Sequence, residues 1–318
     1  MEGKRILVTG AAGFIGSNLV DELLANGAIV IGLDNMFNGN MDNLQSALKS
    51  TEFTFIKGDV RDMYFLLDIM KDVEIIYHEA AFTSVPQSIL MPQLCNDVNV
   101  NGMLNILNAA RVRDVERIIF ASSSAVYGDS PTLPKQEEMP LLPISPYGVS
   151  KLAGESYLLV YNQVYGLKTV GLRYFNVFGP RQKNSPYSGV IAIFLSKILQ
   201  GISPTIFGDG EQSRDFTYVD DVVHANLLAA LSDKAIGHAI NIAAGKPITL
   251  NELTRIMLEE CGRSDLVIQY AEERTGDILH SYADINLAKE LLDFEPRDDA
   301  VSGFKKYLSR VKIDKKLL

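Results

Sequence analysis

An apolar run from Ile6 to Val8 breaks at Gly10 and restarts as a helical pattern near Ser17, with Gly10-Ala11-Ala12-Gly13-Phe14-Ile15-Gly16 as the turn between. Glycines at this spacing between strand and helix each meet a physical need. One allows the turn, one lets backbone N–H groups approach a diphosphate, and one lets the helix pack closely on the strand. A second strand, Ile29 to Leu33, ends at Asp34, 18 residues beyond Gly16, where a carboxylate can accept hydrogen bonds from a ribose diol. A ligand-free strand-to-helix turn also needs glycine, but the turn and the acidic residue together favour a dinucleotide. Asp34 would repel a 2′-phosphate, so NAD is expected rather than NADP.

The strand-helix rhythm continues through Phe53 to Ile56, Val73 to Tyr77, Leu104 to Ala110, Arg117 to Phe120, a helix after Pro146, and Leu167 to Leu172. Alternation of this kind predicts a parallel sheet covered on both faces, a Rossmann-type doubly wound α/β fold. Beyond Asn176 the rhythm fails, because prolines and glycines between Gly179 and Gly210 cut the chain into short pieces. Residues 1–176 are therefore expected to form the cofactor-binding domain, with 219–242 returning to it. Residues 177–318 should form mainly a smaller α/β substrate lobe. At 318 residues the chain exceeds the range in which one core usually keeps growing.

A formal net charge of −9 argues against nucleic acid as a partner. Two cysteines, Cys95 and Cys261, are too few for a disulfide framework or a cysteine-rich zinc site, which fits a reducing cytoplasm. No apolar run is long enough to span a bilayer, and the stretch after Lys4 and Arg5 is too short for a secretory signal. His78, His224 and His280 stand without partners at ligand spacing, so no metal is expected.

Chemistry is carried by Tyr147 and Lys151, four residues apart on a helix that begins near Pro146, and so on one helical face. A phenol has a reference pKa near 10, and an ammonium beside it, with a cationic nicotinamide, favours the phenolate. The pair alone would pass for a surface helix contact. Ahead of it, Ser122, Ser123 and Ser124 stand at the carboxyl end of a strand, where open α/β sheets place their ligands. Asp59, after the third strand, can accept from an adenine amino group or cap the next helix.

In this order the motifs resemble the extended short-chain dehydrogenase/reductases, and among them the UDP-hexose 4-epimerases. The likeness rests on Gly10 to Gly16, Asp34-Asn35, Gly58-Asp59-Val60, His78-Glu79-Ala80-Ala81, Ser145 to Lys151 and Arg173 to Gly179, and covers nearly the whole chain. Ser84 to Ile89, Arg181-Gln182 with Tyr187 and Val190, and Ser213 to Phe216 are most similar to UDP-N-acetylglucosamine 4-epimerases. The resemblance implies tightly held NAD: Tyr147 removes the 4-hydroxyl proton, hydride passes to the cofactor, the 4-keto sugar turns over, and hydride returns to its other face. It places Gly10, Gly13, Phe14, Ile15, Gly16, Asp34, Asn35, Asn38, Gly39, Asp59, Val60, Ala80, Ala81, Asn99, Tyr147, Lys151 and Phe175 around the cofactor. Ser123 or Ser124 would hold the 4-oxygen. The resemblance also implies a homodimer, paired through helices from Leu94 to Arg113 and from Pro146 to Tyr165.

An anionic substrate needs cations, and Arg214 and Arg274 are candidates, although Asp215 and Asp277 could claim them as ion-pair partners. The resemblance assigns both arginines to the substrate, along with Ser84, Ser123, Tyr147, Asn176, Val190, Phe207, Asp277 and Ser281. A serine at 281 leaves room for an N-acetyl group, whereas Tyr282, one position on, would crowd it. UDP-N-acetylglucosamine and UDP-N-acetylgalactosamine are the expected pair, with UDP-glucose and UDP-galactose as further substrates. A 4,6-dehydratase would need an acid and a base where Ser124 and Ala125 stand. UDP-glucuronate 4-epimerase is an alternative, with Arg181 and Ser185 in the relevant loop. A different class is a non-catalytic NAD-binding sensor, which would be expected to lose the base.

Overall fold

The computed structural model describes residues 1–182, 189–273 and 279–316. Six parallel strands come first: β1 (Arg5–Thr9), β2 (Ile29–Asp34), β3 (Phe53–Lys57), β4 (Ile75–His78), β5 (Arg117–Ser123) and β6 (Lys168–Tyr174). With Ala239–Ile242 they make a seven-stranded sheet in the order Ala239–Ile242, β6, β5, β4, β1, β2, β3. Every pairing in it is parallel. The order reverses at β1, so a crevice opens between the carboxyl ends of β1 and β4, where such sheets bind ligands.

Strand alternation sends side chains to two separate cores. Ile6 and Val8 face Leu19 and Val20 of helix α1 (Phe14–Ala25) and Val222 of the helix Val219–Leu231. Leu7 faces the other way, with Leu66, Ile106 and Leu158 from the helices Met63–Ile69, Gly102–Val112 and Pro146–Tyr165. The first core does not stop at the edge of the sheet. It runs on through Phe178, Phe194 and Ile198 to Leu253 and Phe304, so the C-terminal elements share one apolar interior with α1 rather than owning a separate one.

Those elements are short. Val177–Phe178 pairs with Thr217–Tyr218, Thr205–Phe207 with Gln269–Ala271, and Ser213–Asp215 sits between Pro247–Thr249 and His280–Ser281. Asp215 is fully buried, and its carboxylate accepts from the N–H groups of Ala244 and Gly245, both at 3.0 Å, which ties these pieces to the end of the main sheet. No helix among the described residues is long and apolar enough to cross a membrane.

Candidate active site

A cleft of about 1360 Å³ runs along the carboxyl ends of the strands. That volume exceeds what a single drug-sized ligand needs, and suits a dinucleotide beside a second nucleotide. Gly10 lies at φ +69°, and a Cβ there would come within 2.8 Å of the Ala80 nitrogen. A Cβ on Gly16 would stand 2.2 Å from the carbonyl oxygen of Gly10. The backbones of turn, helix and β4 therefore meet more closely than any side chain permits. Helix α1 starts at Gly13 without a side-chain cap, so its first N–H groups point at the cleft unmet, as an anion site requires.

Asp34 ends β2 nearly buried, and its two oxygens accept from Ala12 N at 3.0 Å and Met36 N at 2.7 Å. Burial raises its pKa, and these two hydrogen bonds pull it back. Gly10, Gly13, Phe14, Ile15, Gly16, Asp34, Asn35, Asn38, Gly39, Val60, Ala80 and Ala81 all line the cleft.

Four residues expected at the cofactor lie outside that lining: Lys151, which stands behind Tyr147, and Asp59, Asn99 and Phe175. The Asp59 carboxylate is taken up by Arg61, at 2.9 Å, and by Asn35, at 2.8 Å, and the Arg61 guanidinium holds it well below the usual carboxylate range. The cap of the next helix is Asp62, which accepts from Phe65 N at 3.0 Å, so Asp59 is not that cap. Asn99 is buried and spends its amide on Phe82 and Ser150, where it braces the loop after β4. Phe175 is fully buried among Val126, Tyr127, Ala243 and Ala283.

At the other end of the cleft, Ser145 caps the helix Pro146–Tyr165 by accepting from Gly148 N at 3.1 Å, and Pro146 takes the first turn, where no N–H is needed. This start fixes Tyr147 in the cleft wall, with Lys151 one turn behind it. The Lys151 ammonium donates to the carbonyl of Ala121 at 2.7 Å and lies 5.8 Å from the centre of the Tyr147 ring. Burial pushes the Tyr147 phenol up to about 12, against a lowering hydrogen bond with Ser123. Burial pushes Lys151 down to about 8, opposed by the negative field of Glu79. Ser123 and Ser124 both line the cleft, and Ser123 is the one that lowers the pKa of the phenol.

Of the substrate candidates, Ser84, Asn176, Arg214 and Ser281 line the same cleft. Ser84 caps the helix Val85–Leu90. Asn176 donates to Asp215 O at 2.9 Å, and Arg214 to the carbonyls of Ser213 and Leu279, both at 3.0 Å. Ser281 pairs in register with Arg214, while Tyr282 is not part of the lining. Val190 and Phe207 lie outside it too, Val190 one residue past the lining Gly189. Arg274, Asp277, Ser185 and Tyr187 fall outside the described residues.

The lining also holds Arg181, Lys135 and Glu79, none of them assigned to the cofactor from the sequence. Arg181 forms an ion pair with Asp21 of α1, and its Nη1 is buried with no partner among the described residues. An orphaned guanidinium nitrogen next to the glycine turn fits a bound diphosphate. Lys135 is buried, held by the carbonyls of Ser130 and Thr132. Glu79 receives the Tyr174 hydroxyl at 2.9 Å. The ion pair of Arg181 leaves no local signal, since its partner is 160 residues away.

These residues fit NAD: uncapped N–H groups and Arg181 for the diphosphate, Asp34 for the ribose. NAD bound there supplies a two-electron acceptor beside Tyr147. Residues 6–243 match the profile of the NAD dependent epimerase/dehydratase family. The chain is 40% identical over 305 residues to a UDP-glucose 4-epimerase of Mycolicibacterium smegmatis, covering 95% of this chain and 96% of that protein. A UDP-N-acetylglucosamine 4-epimerase from Methanobrevibacter ruminantium M1, solved with UDP-N-acetylmuramic acid, superposes with a TM-score of 0.91 at 43% identity, over 97% of this chain and 96% of that one. The UDP-glucose 4-epimerase of Thermotoga maritima with UDP-glucose superposes at 0.92 and 38% identity, over 99% of this chain and all of that one. The chain belongs to the NAD dependent epimerase/dehydratase family, and its place is among the NAD-dependent UDP-sugar 4-epimerases.

Proposed function

We propose that the protein interconverts UDP-N-acetylglucosamine and UDP-N-acetylgalactosamine on resident NAD, and accepts UDP-glucose and UDP-galactose as smaller substrates. The observation that carries this reading is the placement of Ser281, and not Tyr282, in the cleft wall. A hydroxymethyl there leaves space for the sugar 2-substituent that a phenol would fill. Tyr147 takes the proton from the 4-hydroxyl, Ser123 holds the 4-oxygen and passes the hydrogen bond, and Lys151 keeps the phenolate accessible. Arg214 and Asn176 meet the UDP moiety. The alternative is UDP-glucuronate 4-epimerisation, for which Arg181, paired with Asp21 of α1, is a candidate cation on the cleft wall.

The active form is proposed to be a homodimer. Val149, Val160, Val164 and Tyr165 on the helix Pro146–Tyr165 are 45–65% exposed, and Val112 on the neighbouring helix is 55% exposed. A surface groove lined by Pro92, Leu94, Ile144 and Val149 continues that apolar face. An exposed apolar stripe on two adjacent helices is what an isologous helix-pair contact needs. The substrate reading is tested by kcat/KM for UDP-N-acetylglucosamine, UDP-glucose and UDP-glucuronate. The N-acetylated sugar should give the highest value, and a preference for UDP-glucuronate would overturn it.

A further inference from the structure

The reaction chamber contains a carboxylate that the mechanism above leaves unused. Glu79 directly follows β4 at the point where the strand order reverses, between β1 and β5. Its chain neighbours on both sides are explained. His78 bonds Thr9 at 2.8 Å, Ala80 N donates to the same hydroxyl at 3.1 Å, and both serve to fix the strand end. Glu79 does not fix anything in that way. Among the described residues, the only hydrogen bond to its carboxylate comes from Tyr174, whose hydroxyl is in turn paired with the Asn226 amide at 2.8 Å. No cation bonds it directly within the described residues, and what exposure it has is to the cleft.

The groups around it come from every element that packs there. Tyr77 lies on its own strand, Tyr147 and Lys151 on the helix Pro146–Tyr165, Tyr174 on β6, and Asn226, which is neutral, on the helix Val219–Leu231. Of these, Lys151 is the cation, and its Nζ is engaged by the Ala121 carbonyl. Burial pushes Glu79 up to about 7, while the Tyr174 hydroxyl and the Lys151 ammonium pull it down and favour its charged form.

Proton and hydride leave adjacent atoms of one substrate alcohol, the proton from O4 to Tyr147 and the hydride from C4 to the cofactor. The hydride acceptor must therefore enter the chamber that Glu79 shares with Tyr147. Oxidised nicotinamide is a cation and the reduced ring is neutral, so a nearby negative charge stabilises the oxidised form more. We propose that Glu79, held by Tyr174 and facing Tyr147 and Lys151, is a charge-setting residue that keeps the resident NAD in its oxidised state between turnovers. A 4-epimerase needs such a bias, because reduced cofactor left behind by a lost 4-keto sugar ends activity. The proposal rests on the NAD-dependent epimerase reading.

The test uses purified holoenzyme and the isosteric variant Glu79→Gln, with folding and cofactor content checked for each. Under saturating UDP-N-acetylglucosamine or UDP-glucose, the fraction of bound cofactor absorbing near 340 nm is expected to rise several-fold in the variant. The acid limb of kcat/KM should move to lower pH, since the Glu79 charge opposes ionisation of Tyr147. If Glu79→Gln fails to fold or hold NAD, Tyr174→Phe removes the hydroxyl that stabilises the carboxylate, and is expected to shift both readouts the same way. An unchanged reduced fraction and an unchanged acid limb in a folded, NAD-loaded variant overturn the proposal. Failure of the wild-type holoenzyme to epimerise either sugar would instead overturn the epimerase reading itself.

Discussion

The two ends of the cleft are built differently. At the cofactor end and around Tyr147, the charged side chains of the chemistry are already held by the protein: Asp34 by two backbone N–H groups and Lys151 by the Ala121 carbonyl. These groups sit on long strands and a 20-residue helix. At the substrate end, Arg214 and Ser281 lie on strands of three and two residues, and among the described residues a Cβ on the lining Gly189 would meet only the end of the Gln182 side chain. The difference separates rate from choice. Chemistry demands groups fixed before the substrate arrives, whereas recognition of one sugar over another needs only space and a few donors at the wall.

Substitutions at the two ends should therefore fail in different ways. The largest effect is expected for Tyr147→Phe, which removes the base and leaves both binding regions intact. Its kcat should fall by about a thousandfold, with KM and NAD content near wild type, by steady-state kinetics and cofactor assay. Gly16→Ala strikes the rigid end at its tightest contact, where the new Cβ meets the Gly10 carbonyl at 2.2 Å. Overpacking there should cost about 1–3 kcal/mol of stability and release NAD, read by thermal melting and by cofactor content after desalting. A fully loaded, equally stable variant would break the contrast.

Ser281→Tyr tests the other end. It should lower kcat/KM for UDP-N-acetylglucosamine by about 10–100-fold and spare UDP-glucose, leaving NAD binding unchanged. Equal losses on both sugars would mean that the wall lies elsewhere. Val164→Glu, on an apolar face far from either end, should have the smallest effect on the fold. Its side chain is expected to weaken self-association by about tenfold or more, measured by analytical ultracentrifugation, with thermal stability of the separated chains little changed.

The same contrast decides what could be read from the sequence. Gly10 to Gly16, Asp34 and the Tyr147/Lys151 pair work through local geometry, a turn, a strand end and one helical turn, and local geometry leaves a fixed spacing. Arg181 and Glu79 work through contacts between distant segments. Arg181 reaches back to Asp21 on α1, and Glu79 meets Tyr174, 95 residues later, so neither has a periodicity to betray it. Asp59 shows the opposite error. A carboxylate after a strand reads as a helix cap, but Asp62 takes the cap and Asp59 pairs with its neighbour Arg61. The continuity of the first core through Phe178 and Phe194 is likewise a matter of distant contacts, which no local pattern records.

Transfer of the C4 hydrogen without exchange is the feature on which the whole account depends, because only a resident hydride acceptor working with Tyr147 returns the same hydrogen to the sugar. Proton NMR of the purified protein in deuterated water, with UDP-N-acetylglucosamine and no added NAD, tests it directly. The account predicts the anomeric signal of UDP-N-acetylgalactosamine, with hydrogen and not deuterium at C4. Deuterium at C4, or no product even after NAD is supplied, would contradict it.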